Sequence, residues 1–358
     1  MTPRLSSACT GLIVVALLAG GCQSLDRVVY KNRSSTTVSK EYVGKPPAVA
    51  PPVTTGAKAP RQTQVDPAQA ALAKAEALAK AGNPDAALSE FEKAIEINPT
   101  LTVAYLGAGD IYREKGDYHG AERNYGKAAN LEPGNFSAQY LHGLSLQLLE
   151  RFGEAVRAYL RALQLRPDDF NANLNLGTTY IQLGEPAQAL SFAQKAVQLN
   201  PSSAEARTNL GAAYSILDRH EEAVIEFQQA GELTDLSAPL LLNLANSLGR
   251  IRRYDEMVNT LTQLTKSEPT ANAYERLGAG LFHLRRYDES LTAYRKALDI
   301  DPNHYPALNG VGVCLMNQWV FSKQTDEAAR QQALAAWRRS VQIERDQPKI
   351  MELIGRFK

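Results

Sequence analysis

From residue 67 onward the alternation of apolar and polar positions has the period of amphipathic helices. In the stretch LNLGTTYIQLGEPAQALSFAQKAVQLNP, Leu174, Leu176, Tyr180 and Leu183 predict a first helix and Gly184 marks a turn. Ala189, Leu190, Ala193, Ala196 and Val197 then predict a second helix, which Pro201 stops. The same pair returns at a constant interval, which the prolines count out. They stand at Pro99, Pro133, Pro167 and Pro201, then at Pro269 after a slot held by Asp235, and Pro302 falls one position short of the next slot. In step with them run Gly109, Gly143, Gly177 and Gly211, the alanines Ala87, Ala121, Ala155, Ala189 and Ala223, and the aromatics Phe91, Tyr125, Tyr159 and Phe227. Small residues at the glycine and alanine slots let two helices approach closely, and the aromatic fills the gap between them. A lone helical hairpin cannot bury its apolar face, so about eight units stacked over residues 67–346 are expected to share one continuous core.

Two units depart from the pattern. The sixth carries Ala245, Met257, Leu261 and Leu264 at its slots, and the added bulk predicts local repacking rather than a domain boundary. The eighth begins regularly with Tyr305, Leu308, Val311, Gly312 and Leu315, but its turn is lengthened before Ala333 and Trp337. Trp319, Val320 and Phe321 therefore fall where a short polar turn is expected. They predict either an exposed contact loop or a segment folded back onto the end of the chain. Residues 347–358 form one more helix, opened by Pro348, with Ile350, Leu353, Ile354 and Phe357 on one stripe and Lys349, Glu352 and Arg356 opposite. That is the terminal cap a stack of repeats requires.

The chain ahead of Pro67 follows other rules. Residues 1–22 have the layout of a secretory signal: Arg4 near the start, a short apolar run from Gly11 to Ala19, then Gly20, Gly21 and Cys22. The run falls short of the roughly 20 apolar residues a membrane-spanning helix needs. Its end resembles a bacterial lipobox, which implies acylation of Cys22. The usual leucine three positions before the cysteine is Ala19 here, with Leu18 one step further out, and an ordinary cleaved signal is the alternative. Gln23, where an aspartate resembles an inner-membrane retention signal, points to an outer-membrane lipoprotein facing the periplasm. Residues 23–66 hold Pro46, Pro47, Pro51, Pro52 and Pro60 among many Ser and Thr, too little apolar surface to fold, and predict a disordered tether. Its basic residues (Arg27, Lys31, Arg33, Lys40, Lys45, Lys58, Arg61) outnumber its acids, which suits a solvated linker or contact with an anionic surface.

Charge and chemistry narrow the function. With 39 Lys and Arg against 38 Asp and Glu, the chain lacks the basic excess of a nucleic-acid binder, and three cysteines make no disulfide framework. There is no phosphate loop, HExxH pair or GxSxG elbow. The five histidines (His119, His142, His220, His283, His304) sit in different repeats without metal-ligand spacing, and Cys314 reads as a small buried apolar residue. No catalytic residue, metal or cofactor is expected.

The periodic glycine, alanine, aromatic and proline slots resemble those of the tetratricopeptide repeat (TPR) family, with the phase kept over most of the chain. The resemblance implies an all-α fold, a right-handed α-solenoid of about eight TPR hairpins with a capping helix. Helix A of each unit then lines a concave groove. Two positions before the glycine slot stand Asn175, Asn209 and Asn243, in a series similar to the asparagine ladder of the TPR region of O-GlcNAc transferase. Such carboxamides, each both donor and acceptor, suit the backbone of an extended peptide. Asparagine before Leu–Gly is also common in the repeat consensus, and the other units carry Ala73, Gly107, Leu141, Arg276 and Gly310 there. A carboxylate clamp of the chaperone-binding type is not implied, since Arg113 and Arg276 lie far apart in repeat order. Arg250, Arg252, Arg253, Arg285 and Arg286 make two basic knuckles at neighbouring turns, read as solvated turns or as contacts for an acidic partner. The lipobox and repeats imply a membrane-anchored scaffold that binds proteins or extended peptide segments, and the resemblance to TPR lipoproteins that assist pilus or secretin assembly implies that it helps assemble a cell-envelope complex such as a pilus or secretion system. The alternative is an adaptor presenting clients to an envelope protease or wall hydrolase.

Overall fold

The computed structural model describes residues 66–234 and 237–358. The signal sequence, Cys22, the tether as far as residue 65 and the Asp235 slot lie outside the described residues. Within them the chain forms seventeen helices and no strand. The first seven are α1 (Pro67–Lys80), α2 (Pro84–Ile97), α3 (Thr102–Glu114), α4 (Tyr118–Leu131), α5 (Phe136–Leu148), α6 (Phe152–Leu165) and α7 (Phe170–Leu183). Then come α8 (Pro186–Leu199), α9 (Ala204–Ile216), α10 (His220–Leu233), α11 (Ala238–Arg250) and α12 (Tyr254–Ser267). The last five are α13 (Ala271–His283), α14 (Tyr287–Ile300), α15 (Tyr305–Phe321), α16 (Glu327–Ile343) and α17 (Pro348–Arg356). Odd-numbered helices up to α15 are the A helices of successive hairpins and even-numbered ones the B helices.

Local chemistry sets these boundaries. Asp66, Asp117, Asn135, Ser203 and Asp326 cap helix starts, each side chain accepting from a backbone N–H of the first turn. Proline opens α1, α2 and α8, where its missing N–H leaves no donor unsatisfied. The turn from helix A to helix B needs a residue in the left-handed region. Gly82, Gly116 and Gly184 supply it in three hairpins, at φ of 76°, 77° and 82°.

The chain divides into two compact units, with the division inside α7 between Thr179 and Tyr180. It falls beside the hairpin whose second helix, α8, buries only Ala189, Ala193 and Ala196. In the N-terminal unit α2 and α4 each pack on their own A helix and on the next one, α6 packs on α5, and Phe91 and Tyr125 are enclosed within the stack. The C-terminal unit repeats the scheme around Phe227, Leu261, Tyr294 and Trp337, all nearly or wholly buried. The slots act as the periodicity predicts: a Cβ added at Gly211 would lie 2.7 Å from the ring of Phe227, so the glycine is what admits the aromatic. In the sixth hairpin Leu261 takes the aromatic slot and Met257 lies 3.0 Å from where a Cβ on Gly249 would stand.

One expectation fails. The extra residues of the eighth hairpin are not a loop, because α15 and α16 are each 17 residues long where the other hairpin helices have 13 or 14. Trp319, Val320 and Phe321 form the last turn of α15. The turn comes only at Lys323 and Gln324, both left-handed at φ of 56° and 67°. The final helix α17 packs on α16, burying Leu353 and Phe357 while Lys349, Glu352 and Arg356 stay exposed.

Candidate functional site

In each unit the A helices reach one another through their side chains as well as through intervening B helices. The Asn175 amide on α7 donates to the Tyr140 hydroxyl on α5 at 3.0 Å. In the C-terminal unit the Ser247 hydroxyl on α11 reaches Ser215 on α9 at 3.3 Å, and Arg276 on α13 donates to Asn246 on α11. The backbones of α9 and α11, and of α13 and α15, also approach directly. In each unit this row of A helices, where polar side chains of successive repeats meet, is a candidate binding surface.

In the N-terminal unit the A helices carry two groups of polar side chains, one around Tyr159 and one around Tyr125. The Tyr159 hydroxyl comes from α6, fully buried, and donates to Gln147 on α5 at 2.9 Å. Burial holds that phenol well above its usual range, with the Tyr140 phenol adding to the rise and Asn175 opposing it by a hydrogen bond. The Tyr125 hydroxyl of α4 donates at 2.7 Å to Asp110 on α3 and accepts from Arg113 at 3.3 Å. Loss of water around Asp110 raises its carboxyl, which the Tyr125 hydrogen bond and then Arg113 counter. Asn175 thus belongs to a preformed network with Tyr140, Gln147 and Tyr159. Sequence reading missed these three partners. The signal available was spacing, since Tyr140 precedes Asn175 by 35 positions, one beyond the repeat.

Asn209 and Asn243 belong to the C-terminal unit, each half-buried on its A helix. Asn243 forms no hydrogen bond with another described residue. Arg276, in the same slot of the seventh hairpin, is 7 % exposed. Trp319 packs edge-on against Phe357 at 6.0 Å, whereas Phe321 is 65 % exposed and touches Tyr287 at 5.6 Å. The basic knuckles are partly neutralised: Arg250 pairs with Asp218 at 2.9 Å, Arg253 with Glu256 and Arg286 with Glu289. Exposed pairs of this kind add little stability. Cys314 is buried beside Ser290, and burial pushes its thiol up to about 11, opposite to what a nucleophile needs. Among the described residues no group of three His, Cys, Asp or Glu could hold a metal ion, and no helix is long and apolar enough to cross a membrane.

Comparison with known proteins agrees with this architecture. The tetratricopeptide repeat family matches residues 68–101, 106–170, 140–204, 174–235 and 271–304, together more than half of the chain. No curated protein matches it in sequence. Among solved structures, a tetratricopeptide repeat protein from Parabacteroides merdae is 19% identical with a TM-score of 0.50, covering 72% of this chain and 98% of its own. The Cut9–Hcn1 hetero-tetramer of the APC/C is 18% identical with a TM-score of 0.50, over 80% of this chain and 55% of that one. YrrB, described as a TPR protein with an unusual peptide-binding site, is 20% identical with a TM-score of 0.47, over 55% of this chain and 98% of its own. Helix pairs in constant register, aromatics seated on glycines and the family matches lead to one conclusion: the chain belongs to the tetratricopeptide repeat family.

Proposed function

We propose that this protein is an envelope scaffold, tethered to the outer membrane through acylated Cys22, whose A-helix wall holds an extended segment of a partner during assembly of a complex such as a pilus or secretion system. Binding of proteins or peptides is the general activity of TPR domains. The observation that carries the finer reading is the character of the wall. Half-buried carboxamides stand on A helices at Asn175 in the N-terminal unit and at Asn209 and Asn243 in the C-terminal unit, and Asn243 commits neither its donors nor its acceptor to another described residue. The proposed anchor rests on the apolar run from Gly11 to Ala19 and the small residues that lead from it to Cys22.

The test is partner affinity of the triple variant Asn175→Ala, Asn209→Ala, Asn243→Ala, using a partner segment recovered by crosslinking in cells. Each peptide contact is worth about 0.5–1.5 kcal/mol net, so the triple change lowers affinity by about one to three orders of magnitude. The loss is similar for segments of different sequence, because the contacts are to backbone. Unchanged affinity removes the asparagines from the mechanism. The anchor is tested separately: Cys22→Ser moves the protein from the membrane fraction to the soluble one with helicity unchanged, and full membrane retention refutes acylation there.

A further inference from the structure

Three junctions of helix A with helix B in the C-terminal unit repeat one heptapeptide. Residues 250–256 read RIRRYDE, 283–289 read HLRRYDE and 321–327 read FSKQTDE. The third residue of each is left-handed, Arg252 and Arg285 at φ of 62° and Lys323 at 56°. That conformation crowds the Cβ of an L-residue and persists where something else requires it. Earlier in the unit, Gly184 fills the same position without crowding, and Asp218 fills it while pairing with Arg250 at 2.9 Å. The three cations have no such use within the protein. Their side chains are exposed and form no ion pair or hydrogen bond with a described residue.

Most charges around them are committed. Arg253 closes a bidentate pair with Glu256 at 2.5 and 2.6 Å, and Arg286 does the same with Glu289 at 2.7 and 2.6 Å. Asp326 caps α16 and Glu327 pairs with Arg330. Asp255 and Asp288 stand in the first turns of α12 and α14, where the helix dipole favours them. Arg286 is raised by its bond to Glu289 first, and Asp255 of the preceding junction adds to the rise. Aromatic contacts hold the junctions to one another. His283 stacks flat on Tyr254 at 4.3 Å and Phe321 tilts against Tyr287 at 5.6 Å, so the last residue of an A helix rests on the tyrosine of the junction before it. The uncommitted cations are therefore presented one per hairpin along a fixed edge, at whose end Phe321 is 65 % exposed.

The three heptapeptides hold six Lys or Arg and six Asp or Glu, so the edge has no net field to draw in an anionic membrane or a nucleic acid. It offers discrete positive groups at the interval of the repeat, which suits discrete carboxylates. We propose that Arg252, Arg285 and Lys323 form a ladder that binds an acidic segment of a partner protein, one carboxylate to each hairpin, with Phe321 as its apolar end. This contact is additional to the row of A helices and does not depend on it.

The test uses two N-acetylated, C-amidated dodecapeptides of Gly and Ser, one with Glu and one with Gln at every third position. Binding to the full chain is read by fluorescence anisotropy at low salt. The Glu peptide binds about 10-fold tighter than the Gln peptide, as three exposed ion pairs acting together give, and the ratio falls as salt is raised. Arg252→Gly with Arg285→Gly lowers that ratio about 5-fold. Lys80→Gln with Lys93→Gln removes the same charge from the N-terminal unit and leaves the ratio within about 2-fold. The basic residues ahead of Pro67 are common to all these proteins, so the change in ratio reads the junctions alone. Glycine also relieves the left-handed crowding, so the ligand-free double variant melts at the same or a higher temperature. If that variant loses helicity, Arg252→Gln with Arg285→Gln replaces it in the binding test. Equal binding of the two peptides by the wild type, or an equal loss in the Lys80 and Lys93 variant, overturns the proposal. A lowered Tm with the ratio unchanged makes the arginines structural and overturns it as well. Phosphatidylglycerol vesicles and sedimentation of the chain alone test other occupants. Vesicle binding or self-association that the arginine variants abolish, with the peptide ratio unchanged, assigns the edge to a membrane or to a second copy and overturns the acidic segment.

Discussion

The seat of Phe227 on Gly211 yields a prediction whose sign depends on background. Gly211 lies inside α9 in ordinary helical conformation, and a Cβ there would come within 2.7 Å of a ring that is 0 % exposed. Gly211→Ala gains about 1 kcal/mol of helix propensity. It loses about 1–3 kcal/mol to overpacking, because a fully enclosed ring has nowhere to retreat. The net effect in the wild type is a destabilisation of about 0–2 kcal/mol. Phe227→Ala alone is costly, about 3–5 kcal/mol, since it removes a ring from a closed core. In that background the clash is gone, the propensity gain remains and the new methyl occupies part of the cavity. Gly211→Ala is then stabilising by about 1 kcal/mol. The four proteins form a double-mutant cycle with a coupling of about 1–3 kcal/mol, read by urea unfolding followed by circular dichroism. Each m-value is checked, because a repeat array can lose cooperativity when one hairpin is weakened. If Gly211→Ala changes stability equally in both backgrounds, to within about 0.5 kcal/mol, the glycine is not there for the ring, and the slot argument fails for this hairpin.

Three further outcomes follow from the geometry. Asn175→Ala lowers stability by about 0.5–1.5 kcal/mol through its bond to Tyr140, whereas Asn243→Ala stays within about 0.5 kcal/mol of wild type, measured in the same unfolding assay. His283 stacks on Tyr254 at 4.3 Å and is lowered by burial and then by Arg252, so the unfolded chain takes up this proton first and stability falls as pH drops below about 6.5. Asp110, Glu205 and Glu275 are raised by burial and act in the opposite sense, so the histidine is isolated by comparing variants: between pH 7.5 and 5.5 His283→Phe keeps the stack and loses less Tm than wild type. Trp319→Ala lowers Tm as a core truncation does, while Phe321→Ala leaves stability within about 0.5 kcal/mol, so weaker partner binding in the latter variant marks the end of α15 as a contact surface.

The fold was legible because each slot is a local steric demand repeated in register. A glycine opposite an aromatic, an alanine four positions before it and a proline after it each have one structural use. Trp319 to Phe321 misled because most turns here carry Gly, Asp, Glu or Arg one repeat interval after the last, and their absence suggested a loop. The run MNQWVF is unbroken by Gly or Pro, and that continuity was the signal for a longer helix. The polar network was illegible for a different reason. Asn175 meets Tyr140 and Arg276 meets Asn246 across hairpins, and a single sequence gives the repeat spacing but not the rotamers that bring such pairs together. The buried state of Arg276 was likewise out of reach, since arginine in a solvent-facing slot of an amphipathic helix reads as exposed.

The lengthened eighth hairpin has a consequence for how such a chain grows. Repeats of one length are interchangeable monomers, and duplicating or deleting a whole unit leaves every junction chemically the same. The hairpin of α15 and α16 breaks that equivalence, because its 17-residue helices are about one turn, or roughly 5 Å, longer than a standard neighbour can match. The face of α16 that a ninth hairpin would use is also occupied by Leu353 and Phe357 of α17 and the residue after it. In the terms of polymer chemistry it is a chain terminator. Copy number can drift among the regular units before it, while a unit inserted after it meets neither a matching length nor an open apolar face.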